Sequence, residues 1–226
     1  IDFLMTGNLL HSFDNVKNGL PTVVVAAIFQ KDPQVLIAHP GTGVETIADL
    51  KGHPILLSDA SITAFWVWLK AKYGFTDDQV RKYAFSPAPF LADKRAAQQG
   101  YLTSEPYTIE KQAGLKPEVF LLADEGYPGY AAMVLAPDSL IQKNPAAVQA
   151  FVEASAQGWK DYLTGDPSKA DALIRKDNPE MTQDVLDQAR EKTRRYRIVE
   201  GDEGLPIGTL TDARWKTFFD MAAAQG

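Results

Sequence analysis

The chain is predicted to be an α/β protein of two lobes, and three observations carry that expectation. Short apolar runs alternate with helix-spaced apolar stripes as far as residue 135, and everything beyond Ala136 is helical in pattern. The run Ile55-Leu56-Leu57, the polar turn Ser58-Asp59-Ala60-Ser61 and the stripe Ile62, Phe65, Trp66, Leu69, Tyr73 make a strand, a tight loop and a helix, the unit from which open α/β sheets are built. Finally, a strand at 34–39 precedes a compact βα block that a strand at 130–135 follows directly. A chain that leaves one lobe by one strand and returns by another has two crossings, which make a hinge. The predicted division is 1–43 plus 127–226 as the first lobe and 44–126 as the second.

Taken in order, residues 1–5 form a strand ending at Thr6-Gly7-Asn8, and residues 9–17 carry apolar side chains at 9, 10, 13 and 16, a helical stripe closed by Gly19-Leu20-Pro21. The apolar run at 22–29, the longest in the chain, suits a buried strand. The strand at 34–39 follows the turn Lys31-Asp32-Pro33, and so short a connection predicts that these two strands pair antiparallel. A one-turn helix at 46–50 leads through Lys51-Gly52 into the strand–loop–helix unit, which Gly74 caps. Residues 77–82 read as a short helix, 83–85 as a strand, 91–99 as a helix stopped by Gly100, and 101–106 as strand running into loop, with Pro106 in the first turn of a helix to 113. A strand at 119–123, a turn-rich loop at 124–129 and the strand at 130–135 follow. Asn144 caps a helix that Pro145 opens and that runs to 164. Further helices are predicted at 167–176, 182–195 and 211–225, the last capped by Thr211 or Asp212 and by Gly226, after a glycine-rich loop at 200–208.

At 226 residues, 45% hydrophobic and 23% charged, the chain can bury a sizeable core. A net charge of −6 without a basic run argues against nucleic acid and against a membrane surface as direct partner. No apolar stretch reaches the ~18–20 residues of a membrane span. The absence of cysteine excludes disulfides, thiolate zinc sites and a cysteine nucleophile. His11, His39 and His53 lie far apart without metal-ligand spacing, and there is no G-x-G-x-x-G, P-loop or G-x-S-x-G elbow, so no metal, cofactor or catalytic residue is expected. Lys169, Lys176, Lys192, Arg194, Arg195 and Arg197 read as a solvated helix face. With no start methionine and no signal-peptide pattern, both ends read as cut.

Ile47-Ala48-Asp49-Leu50-Lys51-Gly52, then Gly100-Tyr101-Leu102-Thr103-Ser104-Glu105-Pro106-Tyr107, then Asn144-Pro145-Ala146-Ala147-Val148-Gln149-Ala150-Phe151 resemble, in order and spacing, three signatures of the substrate-binding proteins of bacterial ABC importers. Asp124-Glu125-Gly126 and Ile207-Gly208 with Arg214-Trp215 are similar to the NMT1/THI5-like branch, which takes nitrate, taurine or sulfonates (SsuA, TauA) and thiamine-pyrimidine precursors. The resemblance covers nearly the whole chain. It implies a two-lobe, type II periplasmic-binding-protein fold lacking its N-terminal part, because residues 1–7 look like the tail of a segment that family members reach only after two strands and two helices. It further implies a monomeric, non-enzymatic protein, periplasmic or a cell-surface lipoprotein, that captures a small-molecule ligand between its lobes and delivers it to ABC permease subunits. The alternatives are a THI5-like pyrimidine synthase, against which the missing cysteines count, and the sensing lobe of a signalling protein.

On that resemblance, the candidate ligand residues are those at strand ends facing the cleft. Thr6, Gly7 and Asn8 follow the first strand, with a helix N-cap as the alternative role of Asn8. In the second lobe, Ser58, Asp59, Ser61, Ile62 and Thr63 begin a helix, and the amides of Ser61, Ile62 and Thr63 are expected to be unpaired and turned to the ligand. The alternative is an ordinary turn capped by Ser61 or Asp59. Trp66 either stacks on a planar ligand or joins Phe65 in the buried stripe, and Trp68 lies off that stripe. Ser104, Glu105 and Tyr107 follow a strand; Glu105 can accept from an amine or aminopyrimidine but repels sulfonate or nitrate, or else it is a charge favoured at a helix start. Glu125, Tyr127 and Tyr130 lie at the return crossing, as hinge or ligand residues. Acidic loops without arginine favour a small nitrogenous ligand of the thiamine-pyrimidine-precursor kind over the alternative of alkanesulfonate, taurine or nitrate, which helix amides alone can bind.

Overall fold

The computed structural model describes residues 2–201 and 204–224. Expectations at Ile1, at Asp202 and Glu203 of the glycine-rich loop, and at Gln225 and Gly226 lie outside the described residues. In chain order the elements are β1 (Leu4–Thr6), α1 (Leu10–Lys17), β2 (Thr22–Phe29), β3 (Gln34–Ala38), β4 (Ile55–Leu57), α2 (Asp59–Ile62), α3 (Phe65–Tyr73), β5 (Val80–Lys82), α4 (Ala88–Ala92), β6 (Ala97–Tyr101), α5 (Glu105–Ala113), β7 (Glu118–Leu121), β8 (Ala131–Pro137), α6 (Asp138–Lys143), α7 (Pro145–Thr164), α8 (Ser168–Asp177), α9 (Gln183–Arg195) and α10 (Asp212–Ala223). The chain divides into two compact units, 1–32 with 128–218 (unit 1) and 33–127 with 219–226 (unit 2).

Unit 1 holds a three-stranded sheet in the order β1-β8-β2, with β8 antiparallel to both neighbours. The ladder between β2 and β8 slips between Val24 and Ala26, a bulge that bends the longer strand. Ala26, Ile28 and Val134 centre a core onto which α7 brings Val152 and Trp159, and Trp159 meets Phe29 edge-on at 5.3 Å. Asn144 caps α7 through a bond from the Ala147 amide, with Pro145 at the first helical position.

One side chain ties this unit together. From the first turn of α10, Arg214 donates to the carbonyls of Gln30 (2.7 Å), Pro128 (2.8 Å) and Gly129 (3.1 Å), and its guanidinium lies 4.9 Å from the Tyr130 ring centroid. Gln30 in turn donates to the carbonyls of Ala27 and Thr209, both at 2.9 Å. The end of β2, the segment entering β8 and the start of α10 therefore share one hydrogen-bond hub. Beside it the Gly208 carbonyl accepts from the Ala27 amide at a φ of +91°, a conformation that favours glycine.

Unit 2 holds a five-stranded sheet in the order β5-β4-β6-β3-β7; β4 runs parallel to β5 and β6, and β3 antiparallel to β6 and β7. The expected pairing of the strands at 22–29 and 34–39 is overturned, since β2 pairs with β8 and β3 belongs to this other sheet. The short link is no hairpin because its groups are taken elsewhere. Lys31 N–H goes to the Ile198 carbonyl, and the Pro33 carbonyl accepts from Leu102. Residues 33–43 accordingly fall in unit 2, as does Tyr127.

Three local expectations in this unit are also corrected. Residues 77–82 are a one-turn 3-10 helix followed by β5, residues 83–85 are not a strand, and the helix predicted at 91–99 is a short α4 and then β6. Strand β6 is covered on both faces, so its glutamines Gln98 and Gln99 are buried and no alternation marks it in the sequence. Gly100 is required there, because a Cβ would stand 2.8 Å from Ile37 Cδ1 and 2.9 Å from Glu105 Cβ.

Candidate ligand site

Strands β5, β4 and β6 are parallel, so their carboxyl ends and the loops that follow lie along one edge of the unit 2 sheet. Ligands of open α/β sheets bind at such edges. The loop after β4 is fixed to β6 by the Ser58 amide, which donates to Gln99 Oε1, and Ser58 Oγ lies 3.1 Å from Ser61 Oγ. The loop after β5 is fixed by the Tyr83 amide on the Leu57 carbonyl at 2.9 Å.

The helix expected from Ile62 to Tyr73 is broken at Ala64 (φ −111°, ψ −108°) into α2 and α3. In α2 the three amides expected to be unpaired are spent: Ser61 and Ile62 donate to the Ser58 carbonyl at 3.0 and 3.1 Å, and Thr63 to that of Asp59 at 3.4 Å. What this turn offers a ligand is side chains, with Asp59 and Thr63 exposed and Ile62 half-buried.

Glu105 opens α5, and its carboxylate is already engaged, by the Tyr101 amide at 2.7 Å and the Tyr83 hydroxyl at 3.3 Å. A carboxylate offers about four acceptor positions, so two protein donors leave room for a ligand donor. Ser104 is exposed at the N-cap without a capping bond, and Tyr107 is half-buried with the Lys111 ammonium 5.9 Å from its ring centroid.

Trp66 is no stacking surface. It is fully buried, tilted against Phe75, and its indole N–H donates to Asp77 at 2.8 Å. That bond, then the Lys70 ammonium, holds the Asp77 carboxyl below the usual range. Trp68 is buried too, 5.3 Å from Tyr127. Glu125 accepts from the Tyr73 hydroxyl at 3.0 Å, and its carbonyl accepts from Lys72, so Glu125 and Tyr127 fasten the 122–127 loop to α3. In unit 1, Thr6 Oγ1 is 2.8 Å from His11 Nδ1, Asn8 Oδ1 accepts from the Leu10 amide at 3.0 Å as α1 begins, and Gly7 has open space around it. The helix-entry role is thus present for Asn8.

Among the described residues no group of three or more His, Cys, Asp or Glu could hold a metal ion. Lys169, Lys176, Arg194, Arg195 and Arg197 are exposed, as a solvated face requires, and Arg194, Arg195 and Arg197 line, with Arg190, an open cavity of about 660 Å³ beside which Asp187, Glu191 and Glu200 bring offsetting charge. Phe85, expected in a strand, instead follows β5 on a turn with most of its side chain exposed; the signal was an apolar residue standing directly before Ser86-Pro87, a turn and not a strand end.

Burial, then a neighbouring carboxylate, raises the phenol pKa of Tyr73 and of Tyr83, and raises that of Tyr162 to about 12. The folded chain therefore keeps protons that the unfolded chain gives up above about pH 10. The stability these phenols contribute is complete below that pH and is lost as pH rises through the folded values. Melting temperature measured by calorimetry should fall steadily above about pH 10, and Tyr83→Phe should flatten that fall.

The family described as NMT1/THI5 like matches residues 8–170. The chain belongs to the NMT1/THI5-like family. Against the riboflavin-binding protein RibY of Chloroflexus aurantiacus it is 29% identical over 159 residues, 68% of this chain and 44% of that protein, so it spans less than half of RibY. Two solved structures share the fold. The periplasmic aliphatic sulphonate binding protein SsuA from Escherichia coli matches 99% of this chain and 70% of its own, with a TM-score of 0.64 and 16% identity. The desulfurization enzyme DSZB matches 99% and 77%, with a TM-score of 0.56 and 13% identity. The likeness shows the type II periplasmic-binding-protein fold expected from the sequence, and DSZB shows that this fold also carries catalysis. Within the family signature at 47–52, Asp49 accepts from the amides of Glu45 and Thr46 and from the Thr46 hydroxyl, a capping box that explains an aspartate there.

Proposed function

We propose that this NMT1/THI5-like chain is the solute-binding component of an ABC importer, acting outside the cytoplasm, and that it hands a small nitrogenous heteroaromatic solute unchanged to permease subunits. The observation that carries the reading is the Glu105 carboxylate at the carboxyl edge of β5, β4 and β6, half-engaged by Tyr101 and Tyr83 and beside the exposed polar ends of the neighbouring loops. Its remaining lone pairs accept an amino or ring N–H of a ligand and repel a sulfonate. RibY supports the reading, as riboflavin is a nitrogenous heteroaromatic, and SsuA supports a place in the periplasm.

Isothermal titration with riboflavin, the hydroxymethyl aminopyrimidine precursor of thiamine, and taurine tests it. The two heterocycles should compete for one site and be recovered intact. Glu105→Gln turns an acceptor into a donor, so their affinity should fall roughly 10- to 150-fold, the equivalent of about 1.5–3 kcal/mol. The same substitution sets an amide N–H against Tyr83 or Tyr101, but the Tyr83 hydroxyl can turn to accept, so stability should fall by only about 1 kcal/mol. Unchanged or tighter binding removes Glu105 from the site, binding of taurine alone establishes the sulfonate alternative, and conversion of a bound ligand would show an enzyme.

A further inference from the structure

We infer that Phe85 is the face on which the ring of the ligand stacks, which narrows the solute to one with a planar aromatic or heteroaromatic ring; the inference rests on the reading of this sheet edge as the ligand site. Phe85 is 76% exposed, the highest value of any large hydrophobic residue among those described. An isolated exposed phenylalanine needs no explanation by itself, but its backbone does. Its φ of +56° puts a bulky aromatic in the left-handed region, which is uncommon for such a side chain and collects at functional positions. Glycine or asparagine would hold that turn with less strain.

The ring also has a fixed base. It lies 5.2 Å from the Tyr83 ring at an interplanar angle of 52°. Tyr83 is buried, its amide is bonded to Leu57 at the end of β4, and its hydroxyl is bonded to Glu105. One short segment therefore presents an uncovered aromatic face and positions the carboxylate acceptor. A flat amino-heterocycle uses both, stacking by its ring and donating from its edge, whereas an alkanesulfonate uses neither.

Riboflavin, followed by the quenching of its own fluorescence, and the thiamine-precursor pyrimidine, followed by calorimetry, are the probes, with taurine as control. Phe85→Gly should weaken both ring ligands by about 10- to 50-fold, while Phe85→Tyr stays within about 3-fold of the parent chain. The melting temperature of Phe85→Gly should hold or rise, since glycine relieves the left-handed backbone, so the lost affinity is not lost folding. If the parent chain binds the ring ligands and Phe85→Gly binds them equally well, the stacking role is overturned and the site reading stands. If the parent chain binds only taurine, or none of the probes, the proposed ligand class and the role of Phe85 both fall.

Discussion

Trp66→Ala should lower the unfolding free energy of unit 2 by about 3–5 kcal/mol, the usual cost of emptying a buried aromatic site. Trp66 is completely enclosed and packs against Phe75, so truncation to alanine leaves a cavity in a close-packed interior. Trp66→Phe keeps most of the buried area and gives up the indole bond to Asp77. Asp77 is open to solvent, so water replaces that donor and the cost should be only about 1–2 kcal/mol. Urea unfolding followed by far-UV circular dichroism measures both. A Trp66→Ala protein that melts like the parent chain but loses ligand would restore the stacking role that the buried position denies.

For Arg214→Ala the expected loss is about 3 kcal/mol, near the value of two charge-assisted bonds, even though the carbonyls of Gln30, Pro128 and Gly129 all lose their donor. Water can reach a half-buried site and recover part of the loss. Arg214→Lys retains the charge but cannot span three carbonyls with one ammonium, so most of the loss should remain. Calorimetry reads the difference as a shift of roughly 6–12 °C in the transition of unit 1. A shift below about 2 °C would mean that the hub holds without the guanidinium.

Where one physical signal dominated, the sequence was a good guide. The run at 22–29 is β2, Asn144-Pro145 opens α7, and Gly74 ends α3 in the left-handed conformation. Reading failed where tertiary partners outweighed local pattern. Nothing in Ala97-Gln98-Gln99-Gly100-Tyr101 marks a central strand, because burial on both faces removes alternation and the Gln99 side chain finds its partner, the Ser58 amide, 41 residues away in the chain. The link at 30–33 looked like a hairpin because length is visible in a sequence and the destinations of its amides and carbonyls are not. At the candidate site, the motif led to Glu105, but its Tyr83 partner lies 22 residues away and no spacing rule connects them. Trp66 was legible as core from its place on the helical stripe; the alternative of a stacking surface rested on residue type and on its place in the first turns of the helix, and burial removes it.

The middle position of β8 in the unit 1 sheet sets an order of events during synthesis. Strands β1 and β2 leave the ribosome before β8, do not pair with each other in the described sheet, and both pair with residues 131–137. The intervening residues 33–127 belong to unit 2, whose strands pair among themselves and can fold as they emerge. A folded insert brings Asp32 and Pro128 under shorter effective closure than a loose chain would, so assembly of unit 1 depends kinetically on unit 2. Until then the apolar run of β2 is an unpaired, aggregation-prone segment exposed to chaperones and to other nascent chains. A lesion confined to unit 2, such as Trp66→Ala, should therefore reduce the yield of soluble protein in cells by more than its equilibrium cost, and lowering the growth temperature or raising chaperone levels should restore part of it.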